Sequence, residues 1–464
     1  MKPINSRFFI TNNGIIYDVD TNYVFKPRHS EFHTSTLLSL SLPKNLNRAV
    51  LLRAEYNAGA DLAINLNLTS ACNLKCTYCF AHGGDYGVKK DNMTAQILPV
   101  LKNLILNNVT ESRKVRFEYF GGEPLLNEKM IIQLVDFAKH LEKEIGIHVF
   151  HRISTNLTFL SDLMQEVLCT NNFVVSVSID GMRSVQDFQR PARNGKSSYD
   201  AILNNVRKIR NMNPTIKTVA RMTIAQKDIC LFDNIKDLVN TRLFNYVSIY
   251  PASIAPSIHS EKSYKFYFDD DIKQQYREVF QHYDELCNIS DSFYGVLEVE
   301  KILEELLYGK ISLSHCSAGR NYYTLSSDSS IVPCHRLCGK EEYVFNRDGT
   351  GIFNLILQNK WLGTVEDDPF CANCFARYIC GGGCKHEHIS FSGEITAKNI
   401  YACEYRKFLL EESISNIEIL FRSFKKRFHS LDNMFVYCGR PTLSNNRSPF
   451  PERQNYKIFC VDNL

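Results

Sequence analysis

The stretch DLAINLNLTSACNLKCTYCFAHGGDYG, residues 61–87, runs from an apolar, alternating segment straight into three cysteines within eight residues, Cys72, Cys76 and Cys79, with Gly83, Gly84 and Gly87 close behind. Its first nine residues predict a β-strand. The glycines and polar residues that follow predict a loop wound tightly around whatever the thiolates hold. The C-x3-C-x2-C spacing offers three sulfurs and no fourth, and an open coordination position is what a catalytic metal site needs. A four-iron cluster held by three thiolates is one reading; a Cys3His zinc knuckle completed by His82 is the other.

Outward from this loop the hydrophobic pattern repeats as strand then helix, the sign of parallel strands joined by crossover helices. Strands are predicted at 61–69, 115–120, 147–154, 173–179, 217–224 and 246–251, with helices between them at, for example, 95–108, 129–145 and 198–212. Six such units predict an α/β fold, a partial (β/α)6 TIM-like barrel whose chemistry lies on the loops at the C-terminal ends of its strands. The thiol loop follows the first strand directly. Before residue 60, FFITNNGIIYDVDTNYVFK (8–26) predicts short strands with Asn-Gly and Asp turns. Beyond the barrel, helices are predicted at 271–289, 298–309 and 411–428, and the tail after 438 shows no packing pattern. The expected division is a β segment at 1–60, the barrel at 61–255, a helical linker at 256–310, a cysteine-rich region at 311–405 and a helix with tail at 406–464.

A chain of 464 residues with 54 basic and 50 acidic side chains has no concentrated basic stripe, so neither nucleic acid nor an anionic membrane surface is an expected partner. No signal-like N-terminus and no run of about 18 apolar residues occurs, which predicts a cytoplasmic protein without a membrane span. In that compartment sixteen cysteines are expected to hold metal where they cluster rather than to form disulfides.

They cluster a second time. Cys371-x2-Cys374-x5-Cys380-x3-Cys384-x18-Cys403 places five within 33 residues, preceded by Cys316 and Cys334. Zinc ribbons use C-x2-C pairs and are the plain reading of such a field.

The residues Cys72, Cys76, Tyr78 and Cys79 resemble the CxxxCxφC signature of the radical S-adenosylmethionine enzymes. The resemblance implies one [4Fe-4S] cluster whose open iron is chelated by S-adenosylmethionine. It also implies reductive cleavage to methionine and a 5'-deoxyadenosyl radical that takes a substrate hydrogen. It assigns Gly121, Gly122 and Glu123 of FGGEP (120–124) to the cofactor's ammonium group. Ser178 and Arg190 become candidates for its ribose or carboxylate, a guanidinium being a fork suited to a carboxylate. The second cysteine field is similar to the SPASM extension of many such enzymes. Carried over, Cys316, Cys334 and Cys384 hold one auxiliary [4Fe-4S] cluster, and Cys371, Cys374, Cys380 and Cys403 hold another. Ser329 stands where the SPASM pattern has glycine. A fourth ligand to the first auxiliary cluster is either Cys338 or absent, leaving an iron open to a substrate thiolate.

Within the SPASM group the chain looks most like maturases of ribosomally made peptides, the thioether-forming (sactipeptide) kind above all. The implied partners are a ribosomally synthesised precursor peptide and a one-electron donor such as flavodoxin or ferredoxin. The alternatives are an anaerobic sulfatase-maturing enzyme that makes formylglycine, and a non-catalytic Fe-S or zinc scaffold. No catalytic acid or base is assigned; Asp180 lies at the barrel mouth, where an Asp-Gly is equally a turn.

Overall fold

The computed structural model describes residues 2–3, 7–20, 22–27, 61–86, 91–226, 229–254, 265–350, 354–427, 442–443 and 456–459. At the N-terminus β1 (Lys2–Pro3), β2 (Phe8–Ile10), β3 (Ile16–Asp18) and β4 (Tyr23–Pro27) form an antiparallel meander. Gly14 closes the β2–β3 turn at φ 77°, where a Cβ would be strained. The meander is tied to the C-terminal half: Arg377 pairs with Asp20 at 3.0 Å, and Asn13 Nδ2 donates to the Ser415 carbonyl at 2.8 Å. Residues 28–60, the rest of the expected β segment, lie outside the described residues.

The barrel follows as β5 (Leu62–Asn67), α1 (Leu98–Asn108), β6 (Lys114–Phe120), α2 (Glu128–Ile145), β7 (His148–Thr155), α3 (Asp162–Thr170), β8 (Phe173–Ser178), α4 (Arg183–Gln189), α5 (Ser198–Met212), β9 (Lys217–Ile224), α6 (Leu231–Asn240) and β10 (Tyr246–Pro251). The six strands pair in parallel in chain order. The helices form where the sequence provides both an apolar stripe and a stop signal. Met130, Ile131, Leu134, Val135, Ala138 and Leu141 give α2 its buried face, and Gly146 at φ 65° ends it. Ser161 and Ser197 cap α3 and α5 through their side chains.

Beyond the sixth strand the sheet continues in a way the hydrophobic pattern did not predict. After the two-residue pair β11 (Ser253–Ile254) and β12 (Lys265–Phe266), and helix α7 (Asp270–Gln281), strand β13 (Gly295–Val296) adds in parallel to β10. Helix α8 (Leu297–Tyr308) and β14 (Ile311–Ser312) lead into the cysteine region. There β15 (Tyr322–Leu325) adds in parallel to β5, and β16 (Ile331–Val332) follows antiparallel. The result is one nine-stranded sheet, to which the cysteine region contributes the two strands beyond β5.

The helix expected at 271–289 breaks at His282, and a separate short helix covers Tyr283–Asn288. The one expected at 411–428 is two. After α9 (Lys385–Ser392), α10 (Ile400–Ser415) starts inside the cysteine region and carries Cys403, and α11 (Ile417–Arg427) follows a break at Asn416. The tail is structured in two places: β17 (Thr442–Leu443) pairs with β14, and β18 (Tyr456–Phe459) pairs with β4. Among the described residues no helix is long and apolar enough to cross a membrane.

Candidate functional site

The loop after β5 is held from two sides by backbone hydrogen bonds. Lys75 N–H donates to the Pro191 carbonyl at 2.9 Å and Thr77 N–H to that of Gln189 at 3.0 Å, while Arg193 Nε reaches the Cys72 carbonyl at 2.9 Å. From the other side, Gly122 N–H donates to Thr69 O at 2.7 Å and Glu123 N–H to Ala71 O at 2.8 Å. The Gly-Gly turn packs backbone against backbone there. A Cβ on Gly122 would stand 2.2 Å from the Ala71 carbonyl, and one on Gly121, at φ 143°, would stand 2.6 Å from that of Thr69. Gly122→Ala is therefore expected to push the loop away from the turn at a cost of about 1–3 kcal/mol, read as a lower urea midpoint, together with weaker iron retention.

Cys72, Cys76 and Cys79 come together, each partly exposed and within electrostatic reach of the others. Gly83 N–H donates to Cys79 Sγ at 3.3 Å. Burial pushes the Cys76 thiol up to about 12, so a thiolate there calls for a cationic centre between the sulfurs. Among the described residues no three His, Cys, Asp or Glu side chains meet tightly enough for one metal ion, and His82 is exposed.

Glu123 is buried, and its carboxyl accepts from Thr155 Oγ1 at 2.6 Å, Asn156 N–H at 2.7 Å and Leu125 N–H at 3.1 Å. Burial raises its pKa to about 7 against the pull of those three donors. It acts as a strut joining the Gly-Gly turn to the end of β7. Ser178 ends β8, half-buried. Tyr78 donates to Asp180 Oδ2 at 2.6 Å, beneath the Arg190 guanidinium, which lies 5.2 Å from its ring centroid. Arg190 is already engaged as a fork: Nε and Nη2 each bond an Asp180 oxygen at 2.9 Å. This is the guanidinium that the sequence expectation assigned to the cofactor's ribose or carboxylate.

The second cysteine field separates into two groups. Burial and the charges of Cys384 and Cys316 raise Cys334, and burial and Cys316 raise Cys384, so these three are neighbours. Cys338 is buried, accepting from Ser326 Oγ at 3.4 Å, and together with Cys334 and Cys79 it lies within electrostatic reach of Tyr86. Cys371, Cys374, Cys380 and Cys403 line one cavity with Arg406 and Lys407 beside it, cations placed to offset thiolate charge. Ser329 keeps the left-handed φ of 68° that glycine would take, so the turn survives the change of residue.

Five contributors carried no assigned role in the sequence reading. Asp180 is a hub instead of a simple turn; Thr155 and Asn156 fix Glu123; and Arg193 binds the thiol loop. His335, beside Cys334, roofs the barrel mouth with its ring 4.7 Å from Phe120 and 6.0 Å from Phe80. The polar run QRPAR (189–193) is the one sequence trace of the first and third.

Residues 66–226 match the Radical SAM superfamily profile. The chain is 24% identical over 377 residues to a cysteine-type anaerobic sulfatase-maturating enzyme of Clostridium novyi, covering 78% of this chain and 97% of that protein. It is 23% identical over 277 residues to the sporulation killing factor maturation protein SkfB of Bacillus subtilis, covering 59% of this chain and 60% of that one. Among solved structures, native anSMEcpe with bound AdoMet superposes with a TM-score of 0.63 at 17% identity, covering 77% of this chain and 99% of that one. Streptococcus suis SuiB bound to its precursor peptide SuiA gives 0.51 at 14%, covering 87% and 100%. Both likenesses concern the fold.

Proposed function

We propose, from the premise that this chain is an enzyme carrying a radical SAM domain over residues 66–226, that it modifies a residue within a ribosomally made precursor peptide by closing a crosslink, a thioether in the first instance. In this reading Cys72, Cys76 and Cys79 hold a [4Fe-4S] cluster with S-adenosylmethionine on its open iron. Cys316, Cys334 and Cys384 hold one auxiliary cluster, and Cys371, Cys374, Cys380 and Cys403 the other. When bound, these groups would supply reductive cleavage of the sulfonium and a radical that removes a substrate hydrogen. The chain's own residues do the positioning. The Gly-Gly turn brings backbone amides and carbonyls close to the thiol loop, Glu123 braces that turn, and the Asp180–Arg190 pair anchors Tyr78 between Cys76 and Cys79.

The observation that carries the crosslink is the grouping of Cys316, Cys334 and Cys384 as mutual neighbours. Three protein sulfurs in the Cys316, Cys334 and Cys384 group leave room for a fourth from the substrate, and His335 places that group against the barrel mouth. An electron donor such as flavodoxin or ferredoxin would complete the system.

The test is to incubate anaerobically reconstituted, reduced enzyme and S-adenosylmethionine with the cysteine-containing precursor peptide encoded beside the gene. Loss of two hydrogens from the peptide, with 5'-deoxyadenosine released, is the expected result; cofactor cleavage without change in the peptide counts against it. A second reading, formylglycine formation on a sulfatase, is favoured by the similarity over nearly the full length of the Clostridium novyi enzyme. An aldehyde formed on a sulfatase peptide, with the precursor peptide unchanged, would establish that reading instead.

A further inference from the structure

After Cys79 the thiol loop turns back on itself: Gly84 N–H and Tyr86 N–H both donate to the Ala81 carbonyl, at 2.7 and 3.0 Å. Tyr86 closes that turn in the left-handed region, at φ 54°. For a residue with a Cβ this conformation costs about 1–2 kcal/mol. Residues kept in it collect where the surroundings fix a side chain in one direction.

The direction here is toward the junction of the two thiol-bearing regions. The Tyr86 ring packs edge-on against Phe80, with centroids 6.0 Å apart. Phe80 in turn meets the ring of His335 at 6.0 Å and the Arg336 guanidinium at 4.8 Å from its centroid. Phe80 and Tyr86 belong to the loop that carries Cys79, whereas His335 and Arg336 directly follow Cys334. Tyr86 lies within electrostatic reach of Cys338, Cys79 and Cys334, with Cys338 acting on it most strongly of the three. Two of those sulfurs belong to the later cysteine region and one to the loop.

The phenol makes no hydrogen bond there. Tyr86 Oη is buried and has no partner among the described residues, so none of the three sulfurs takes its proton. A buried hydroxyl left in that condition costs about 1–3 kcal/mol. Phenols are donors at neutral pH. Cys79 Sγ already accepts from Gly83 N–H at 3.3 Å, within its own loop. An acceptor suited to a donor held among thiolates is an electron-rich atom that they surround, and the sulfides of a four-iron cluster are of that kind.

We infer that Tyr86 is a redox-tuning residue: its hydroxyl donates a hydrogen bond to a sulfur of the [4Fe-4S] cluster at Cys316, Cys334 and Cys384 and raises that cluster's reduction potential. The inference rests on the cluster assignment proposed above and adds to it a residue that sets the potential. A reduced cluster carries one more negative charge than an oxidised one, so a donor aimed at its sulfur stabilises the reduced form more. The cluster at Cys72, Cys76 and Cys79 offers the same kind of acceptor, so the experiment separates the two.

Tyr86→Phe keeps the ring against Phe80 and removes the donor. Full-length reconstituted enzyme and this variant are titrated potentiometrically and followed by electron paramagnetic resonance. The three signals are assigned from chains in which Cys72, Cys76 and Cys79, or Cys371, Cys374, Cys380 and Cys403, are replaced by alanine. The reduction equilibrium of the cluster at Cys316, Cys334 and Cys384 is expected to become about tenfold less favourable, a midpoint lower by about 59 mV for one electron. Iron content and the other two midpoints should hold. A shift confined to the cluster at Cys72, Cys76 and Cys79 overturns the inference and gives the hydroxyl to that cluster. Three unchanged midpoints overturn it while leaving the cluster assignment in place. Absence of any signal from the Cys316, Cys334 and Cys384 group in the unaltered enzyme overturns that assignment and the inference together.

Discussion

Replacing Cys72, Cys76 and Cys79 together by alanine is expected to lower bound iron from about twelve atoms per chain to about eight and to take 5'-deoxyadenosine formation to background. The fold should survive, because the loop is held by backbone bonds to residues 189 and 191 and by the Gly-Gly turn, none of which involves sulfur. Iron analysis, circular dichroism and chromatography of the nucleoside product give the three readings. The matching change at Cys371, Cys374, Cys380 and Cys403 should also remove about four irons, from a site lined by a separate cavity. Unchanged iron in the first variant would mean that the three sulfurs hold no cluster.

The second large effect is expected at Asp180. Its buried carboxylate accepts five hydrogen bonds: from Tyr78 Oη at 2.6 Å, Gln189 Nε2 at 3.0 Å, Arg190 Nε and Nη2 at 2.9 Å each, and Thr223 N–H at 2.9 Å. Asp180→Ala would leave the Arg190 charge buried without its counter-ion, which costs about 3–5 kcal/mol. Removing both partners, as Asp180→Ala with Arg190→Met, should cost less than the single change, because no uncompensated charge remains. Urea unfolding of the three proteins decides the matter. Equal stability of Asp180→Ala and the parent would show that the pair is not what anchors Tyr78. Iron binding should weaken in parallel, since Gln189 and Pro191 hold the thiol loop from the same segment.

The six barrel strands, their order and the position of the cysteine loop were legible because each depends on local pattern: alternation, helical spacing, and a turn after an apolar run. The proposed division of the later cysteines into groups of three and four came only from family resemblance, since spacing alone allows many partitions. What the chain did not reveal locally was pairing between distant segments. Asp180 and Arg190 each read as loop residues, and only the folded chain turns one toward the other. The parallel addition of β15 to β5 joins segments some 260 residues apart, with no turn between them to announce it. The break at Asn416 was missed because helical spacing continues on both sides of it, while the direction of the buried face changes.

The pairing of β18 with β4 bears on how the chain comes to be made. Strand β4 is made about 430 residues before the strand that pairs with it, so that edge of the N-terminal sheet stays unpaired while the barrel and the cysteine region are synthesised.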